Sequence, residues 1–399
     1  MSTDVASGQL APGAAAGHSH GPRPSAVPGS LRAERLTSFD PADFPVPRGR
    51  EEEWRFTPVK ALGTLLADEP APGCLQLDAQ LPVGVTQQAI SGEQARALGI
   101  MAPGDRPAAL AADNPHGATQ VDIPAEADLA DPVRINLTGT GERVDGHLVV
   151  TVGEHAEATV IISHDGRGAL NELVSVVAAD GAHVTVVSVQ DWQGGSVHLG
   201  EHDMVVGADA YVRHIGVTLG GDVVRLNANV RYAGPGGEAQ LLGVYFADAG
   251  QHLEQRSFVD HEAKNCVSRV AYKGALQGRT ARTVWVGDVL IRAEAEGTDT
   301  YEINRNLVLT DGARADSVPN LEIETGQIEG AGHAAATGRF DDEQLFYLMA
   351  RGIRQEDARR LVVRGFFADI IARIGVPEVV DKLMAAIEAE LELHMTHDG

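Results

Sequence analysis

The sequence predicts a mainly β protein: a parallel β-helix core flanked by an N-terminal mainly helical domain and a C-terminal helical domain. Three observations carry this prediction. From about residue 130 onward, Val and Ile become common. Apolar and polar residues alternate in short runs such as Val184-Thr185-Val186, and Gly or Asp-Gly interrupts them every ten residues or so, the texture of short strands. A small–polar–apolar unit then returns at a fixed spacing. His155-Ala156-Glu157-Ala158-Thr159-Val160 matches Gly181-Ala182-His183-Val184-Thr185-Val186 and Gly207-Ala208-Asp209-Ala210-Tyr211-Val212, with 26 residues from Ala156 to Ala182 and 26 again to Ala208. After Gly330 the apolar period switches to that of a helix.

Residues 1–30 are rich in Gly, Pro, Ala and Ser and cannot bury much surface, so they read as a disordered tail in which His18 and His20 are solvated. The tail has neither a basic start nor an apolar stretch suited to a secretory signal. Residues 31–125 mix short helical patterns with Pro and Gly breaks and form the expected N-terminal mainly helical domain; Glu93 to Gly99 reads as one or two helical turns closed by the glycine. Residues 126–332 form the expected solenoid. A repeat of 26 residues suits a coil of two or three short strands, with a small residue at each corner and Val, Ile and Leu stacking inward. Gly237-Glu238-Ala239-Gln240-Leu241 is a looser copy, 29 residues on when Gly237 is set against Ala208, and Gly312-Ala313-Arg314-Ala315 fits the same unit.

Residues 333–399 form the expected C-terminal helical domain of three helices. Asp341 or Asp342 caps the first, with Gln344 placed as in a capping box; Leu345, Leu348 and Met349 share its face and Gly352 closes it. The second runs from about Gln355 to Ile374 with Ala358, Leu361, Val362, Phe366 and Ile370 on one side, ending at Gly375. Pro377 opens the third, which carries Val380, Leu383, Met384, Ile387 and Leu391. Three helices laid over the open end of a solenoid would protect it from edge pairing.

Composition excludes several functions. With 32 basic and 56 acidic residues the net charge is −24, which opposes sequence-independent nucleic-acid binding and attachment to an anionic membrane. Two cysteines, Cys74 and Cys266, are too few for a disulfide scaffold and too few for a cysteine-only zinc or iron–sulfur site. No run is long and apolar enough to span a membrane, and a cytoplasmic location is expected. Gly274 to Thr280 lacks the lysine of a phosphate-binding loop. His252, Glu254, His261, Glu262 and Cys266 are residue types that bind metals, but strand alternation reads them as surface or coil-stacking residues. His333 lies among small residues, in Gly330-Ala331-Gly332-His333-Ala334-Ala335-Ala336-Thr337-Gly338, where another chain or a ligand can approach its imidazole.

Several motifs together resemble the SufB/SufD family of the SUF iron–sulfur cluster assembly machinery. Asp341-Asp342-Glu343-Gln344-Leu345-Phe346-Tyr347-Leu348-Met349-Ala350-Arg351-Gly352-Ile353 is similar to the family's D-x-x-L-F-Y-L-x-x-R-G-[IL] signature. Cys266-Val267-Ser268-Arg269-Val270-Ala271-Tyr272-Lys273-Gly274 matches its C-x-S-x-x-x-Y-[KR]-G stretch, and Trp54-Arg55-Phe56-Thr57-Pro58 its W-R-[YF]-T-P element. Asn304 to Leu309 and Leu321-Glu322-Ile323 also fit, so the likeness covers about residues 50–375.

The SufD branch is the nearer one. SufB-type chains carry a cluster-building cysteine in the strand that here reads Glu302-Ile303-Asn304-Arg305-Asn306, and SufD-type chains share the late histidine, here His333. Many of them also carry a cysteine two residues earlier, where this chain has Ala331. The resemblance implies a non-catalytic scaffold that pairs with SufB through the β-helix and with the ATPase SufC through its C-terminal helices. It implies a transient Fe–S cluster at the SufB interface with His333 as a ligand. ATP and Mg belong to SufC, and sulfide comes from a cysteine desulfurase through a SufU- or SufE-type donor. The sequence leaves flavin binding open. The alternatives are a SufB-like or homodimeric scaffold, a solenoid with no metal role, and a β-helix enzyme acting on acidic sugars, which the charge of −24 disfavours.

Overall fold

The computed structural model describes residues 35–339 and 342–393; the expected tail with His18 and His20 lies outside them. The chain is a parallel β-solenoid of about eight turns with few helices. Where a mainly helical N-terminal domain is expected, residues 36–125 instead hold short 3₁₀ turns, three strands and two short helices. These are β1 (Leu77–Gln80), β2 (Thr86–Ile90), α1 (Gly92–Ala97), α2 (Arg106–Ala112) and β3 (Ala118–Ile123). Pro and Gly cut this region into pieces too short for helices that stand alone. The solenoid begins here, ahead of residue 126, because β3 already stacks in parallel on β4 (Val133–Val152). β1 and β2 pair antiparallel with β4 and β3 and close this end.

β4 and β5 (Glu157–Ala178) each bend midway and serve both faces of the solenoid. From there two parallel ladders climb together. One carries β6 (His183–Gln190), β8 (Tyr211–Thr218), β10 (Glu238–Ala247), β12 (Val267–Leu276), β14 (Asp299–Val308) and β16 (Gly330–Arg339). The other carries β7 (Val197–Val206), β9 (Val223–Tyr232), β11 (His252–His261), β13 (Arg282–Ile291) and β15 (Arg314–Ile323). The solenoid thus extends through Arg339, and His333 sits inside its last strand rather than at the start of the helical domain.

The repeat is real, but its register slips. Glu157 faces His183 as the spacing predicts. His183 then faces Tyr211, so Ala182 stacks under Ala210 rather than Ala208, and Gly237 follows Ala210. Gly312 precedes β15 and belongs to the second ladder. Ala156, Ala182, Ala210 and Cys266 are fully buried in one corner column, which makes Cys266 a small packing residue. The residue before each corner is left-handed: His155, Gly181, Asp209, Gly236, Asn265 and Gly297 all have φ between 53° and 76°. Glycine alternates with a larger residue because each larger side chain lies over the next glycine. A Cβ at Gly181 would stand 2.2 Å from His155 Nδ1, and one at Gly297 2.2 Å from Asn265 Oδ1.

The interior also contains reciprocal ring-on-glycine pairs. Gly243 faces Tyr272, and Tyr245 faces Gly274, across β10 and β12. A Cβ at Gly243 would lie 2.1 Å from Tyr272 Cδ1, and one at Gly274 2.0 Å from Tyr245 Cε2.

Three helices follow: α3 (Asp342–Ala350), α4 (Gln355–Ile374) and α5 (Pro377–Leu393). Asp341 lies outside the described residues. Left-handed Gly352 and Gly375 end the first two as predicted. The helices do not lie over the open end. α4 and α5 pack along the flank of the first ladder, where Val363, Phe367, Ile370 and Leu383 meet outward-facing Val187, Ile215, Val217 and Leu242. Those strands are apolar on both faces and need a cover. The buried stripe of α4 is turned from the expected one: Val363 and Phe367 point inward, whereas Leu361 is exposed. Lys273 Nζ locks the contact by donating to Phe366 O at 2.7 Å and Asp369 Oδ1 at 2.6 Å.

Candidate functional site

The two ends of the solenoid differ. β15 pairs with β13 and β16 with β14, and among the described residues no strand covers their outer sides. Side chains of earlier strands are mostly buried, but those of β15 and β16 are half-buried or exposed. His333 lies on β16 opposite Glu302 of β14. Its Nδ1 is 3.9 Å from Glu302 Oε1, with the imidazole side chain 43% exposed and the carboxylate 1% exposed. At this distance the pair is a charge contact and not a hydrogen bond, and an accessible imidazole that can ligate a metal stands beside a buried acid. Ala331 occupies the position two residues earlier, opposite Thr300, and brings no donor atom.

Behind His333, Asn304 and Asn306 of β14 are satisfied by one another and by Tyr245 and Ser317. Asn304 Nδ2 donates to Tyr245 Oη at 2.8 Å, and Asn306 Nδ2 donates to Asn304 Oδ1 at 2.7 Å. Tyr245 Oη donates to Asn306 Oδ1 at 2.9 Å, and Ser317 Oγ donates to Asn304 Oδ1 at 2.7 Å. This closed amide network fills the strand in which the sequence lacks a cysteine.

The metal-binding residue types between His252 and Cys266 do not converge on one point. His252 and Glu254 face the N-terminal segment, and Glu254 accepts from Thr57 Oγ1 at 2.8 Å and Arg256 Nη1 at 3.1 Å. Burial pushes the Glu254 carboxyl up, but the His252 hydrogen bond and the charges of Arg225 and Arg256 outweigh it and hold it at about 2. Arg225 also lies over the Trp54 ring at 4.2 Å, so the Trp54–Pro58 motif is docked on the second ladder. His261 points inward, stacked on Tyr232 and bonded to Ser268, with burial holding it down at about 3. Glu262 pairs with Arg292. Cys266 is buried and its thiol is pushed up by burial, while Cys74 is exposed.

Sequence reasoning missed one cluster. His164, Glu172 and His198 meet between the two sheets, with donor atoms within 4.8 Å of one another. They are 8 and 26 residues apart in sequence, so only the coil register joins them. The one signal is the presence of polar residues at inward positions of apolar strands.

On α3, Phe346 is 73% exposed and Tyr347 56% exposed, an aromatic patch left uncovered. The profile of the SUF system FeS cluster assembly, SufBD core domain, matches residues 135–366, from β4 through α3 into the middle of α4. This chain belongs to the SufBD family. Iron–sulfur cluster assembly SufBD family proteins of Mycobacterium tuberculosis and Mycobacterium leprae are 53% and 51% identical to it, covering 91% and 92% of the chain and 94% and 98% of those proteins. The iron–sulfur cluster assembly protein SufD of Escherichia coli is 28% identical over 60% of the chain and 57% of its own length. As a SufBD member the chain is a component of iron–sulfur cluster assembly. No helix among the described residues is long and apolar enough to cross a membrane.

Proposed function

We propose that this SufBD protein is a SufD-type scaffold subunit that pairs with SufB through its open solenoid end and helps hold a nascent Fe–S cluster there. The observation that carries the reading is His333, an accessible imidazole on an uncovered strand edge, backed by a buried carboxylate. A free parallel edge offers unpaired N–H and C=O groups to a partner strand. The cluster is cargo. With Cys266 walled in, Ala331 beside His333, and the exposed Cys74 next to β4, where Gly73 bridges Val144 at the other end of the solenoid, its thiolates come from the partner. The exposed Phe346 and Tyr347 on α3 suit a protein contact, which we assign to the ATPase SufC, where ATP and Mg are bound. Sulfur arrives from a cysteine desulfurase through a SufU- or SufE-type donor, and the complex works in the cytoplasm.

Two measurements test this. Tagged chain purified from its own cells brings down SufB and SufC; recovery of neither sinks the proposal. The His333→Ala variant assembles normally but yields less cluster on reconstitution; a normal yield removes His333 from the site. The same free edge also fits a second copy of the chain. Molecular mass in solution with and without SufB separates that reading, since a dimer that persists with SufB present favours the homodimer.

A further inference from the structure

In the early coils of the solenoid, imidazoles gather around one buried carboxylate. His164 and Glu172 both lie on β5, on either side of its bend, His198 and His202 on β7, and His214 on β8. His164 Nε2 lies 2.9 and 3.1 Å from the two Glu172 oxygens; His198 Nε2 lies 3.0 Å and His202 Nε2 3.4 Å from Oε2. His164, Glu172, His198 and His202 are fully buried. The ion-pair partners of Glu172 are these imidazoles and, among the described residues, neither Lys nor Arg.

The outer ring nitrogens are anchored. His164 Nδ1 stands 3.0 Å from Val189 O, an acceptor, so it carries a proton and leaves Nε2 to face Glu172. His202 Nδ1 is 2.8 Å from His214 Nε2. Metal-ligating histidines are held in this way through the nitrogen that does not bind the ion. Ligands at about 2.1 Å from a tetrahedral ion stand about 3.4 Å apart, and the donor atoms here lie within 4.8 Å of one another, so they draw together to receive one.

We infer that His164, Glu172 and His198 bind a divalent first-row transition-metal ion, with His202 placed as a fourth donor. Two imidazoles and one carboxylate suit Zn²⁺ or Fe²⁺. The ion takes the place of the protons that otherwise lie between the imidazoles and Glu172; the proton shared by His164 and Glu172 passes to solvent, while His198 keeps its own on the other ring nitrogen. Trp192 sets the affinity. Its Nε1 donates to His198 Nδ1 at 3.2 Å, which keeps the single proton of a neutral His198 on Nε2. Ligation through Nε2 moves that proton to Nδ1, against the indole N–H. Trp192 also lines a crevice with Leu137 and Leu170, the ladder neighbours of His164 and His198. The inference is independent of the scaffold reading.

The test uses the full chain carrying His18→Ala and His20→Ala, so that tail imidazoles do not contribute. The protein is unfolded with chelator, refolded with Zn²⁺ or, anaerobically, Fe²⁺, desalted, and its metal content measured. About one ion per chain and a raised melting temperature are expected. Glu172→Gln and His198→Gln each weaken binding by about tenfold or more, whereas Trp192→Phe tightens it severalfold by releasing His198 Nδ1. A cooperatively folded chain that retains neither ion overturns the inference and leaves a proton-sharing network in its place. Retention unchanged by Glu172→Gln overturns it equally. Should the Gln variants fail to fold, refolding the parent with Co²⁺ decides: visible bands of a four- or five-coordinate N/O site support the inference, and bound Co²⁺ without them refutes it.

Discussion

The ring-on-glycine pair between β10 and β12 makes a quantitative prediction. Gly243→Ala places a methyl group 2.1 and 2.2 Å from Tyr272 Cδ1 and Cε1, where ordinary contacts are about 3.5–4.0 Å. The ring must retreat by more than an ångström, yet Tyr272 is 2% exposed and is backed by Trp285 at 6.3 Å between centroids. Overpacking of this kind costs about 1–3 kcal/mol, and the severity of the overlap puts Gly243→Ala at the upper end. Replacing glycine within a strand returns about 0.5–1 kcal/mol of backbone entropy, so a net loss of about 2 kcal/mol is expected. Guanidinium unfolding measures it as a lowered midpoint at unchanged slope. Tyr272→Ala alone costs about 3–5 kcal/mol, but in that background Gly243→Ala becomes neutral or stabilising, giving a coupling energy of about 2–3 kcal/mol. A single-variant loss under about 0.5 kcal/mol, or additive effects in the double variant, refutes the steric reasoning.

Glu254→Gln should destabilise the protein by about 3 kcal/mol at neutral pH, from a carboxyl held at about 2 against 4.5 unfolded. That contribution is complete above the unfolded value and drains as pH falls from about 4.5 to 2, so the gap between wild type and variant closes over that window in urea unfolding. His147 and His261, which burial holds at about 4 and 3 against 6.5 unfolded, keep their stabilising effect above pH 6.5 and lose it as the medium acidifies toward those values. His147→Gln, able to keep the bond to Ser175, should flatten the decline of stability between about pH 6.5 and 4. His333→Ala should change stability by less than about 0.5 kcal/mol, since the ring is exposed; a larger loss would show that it supports the fold and not only the site.

The solenoid was legible in the sequence because its corners demand small residues, and Ala156 and Ala182 fall where their spacing puts them. The slip at Ala208 was invisible for a physical reason. A shift of two residues leaves every side chain on the same face of a strand, so alternation alone does not detect it. The three C-terminal helices were readable from their end signals, but their place was not. Helix period shows that α4 has an apolar stripe without showing what covers it; the outward Val187, Ile215 and Val217 of β6 and β8 decide that. Adjacent Phe366 and Phe367 both suit an inward face, and packing selects Phe367. His333 stood out through its small neighbours, whereas its pairing with Glu302 depends on a register set by coils of unequal length. His164, Glu172 and His198 left no local trace, because a carboxylate and imidazoles on neighbouring strands meet only when the coil closes.

The corner column constrains how this molecule grows or shrinks over evolutionary time. From His155 to Gly297, a long left-handed residue and a glycine take turns, each long side chain filling the space above the glycine on the next coil. Duplicating one coil would set two long residues or two glycines in succession, giving a collision or a gap. Duplicating two coils would restore the pattern without any further substitution. Viable insertions and deletions in this stack should therefore come in pairs of coils, so that parity, rather than length, is what selection holds fixed.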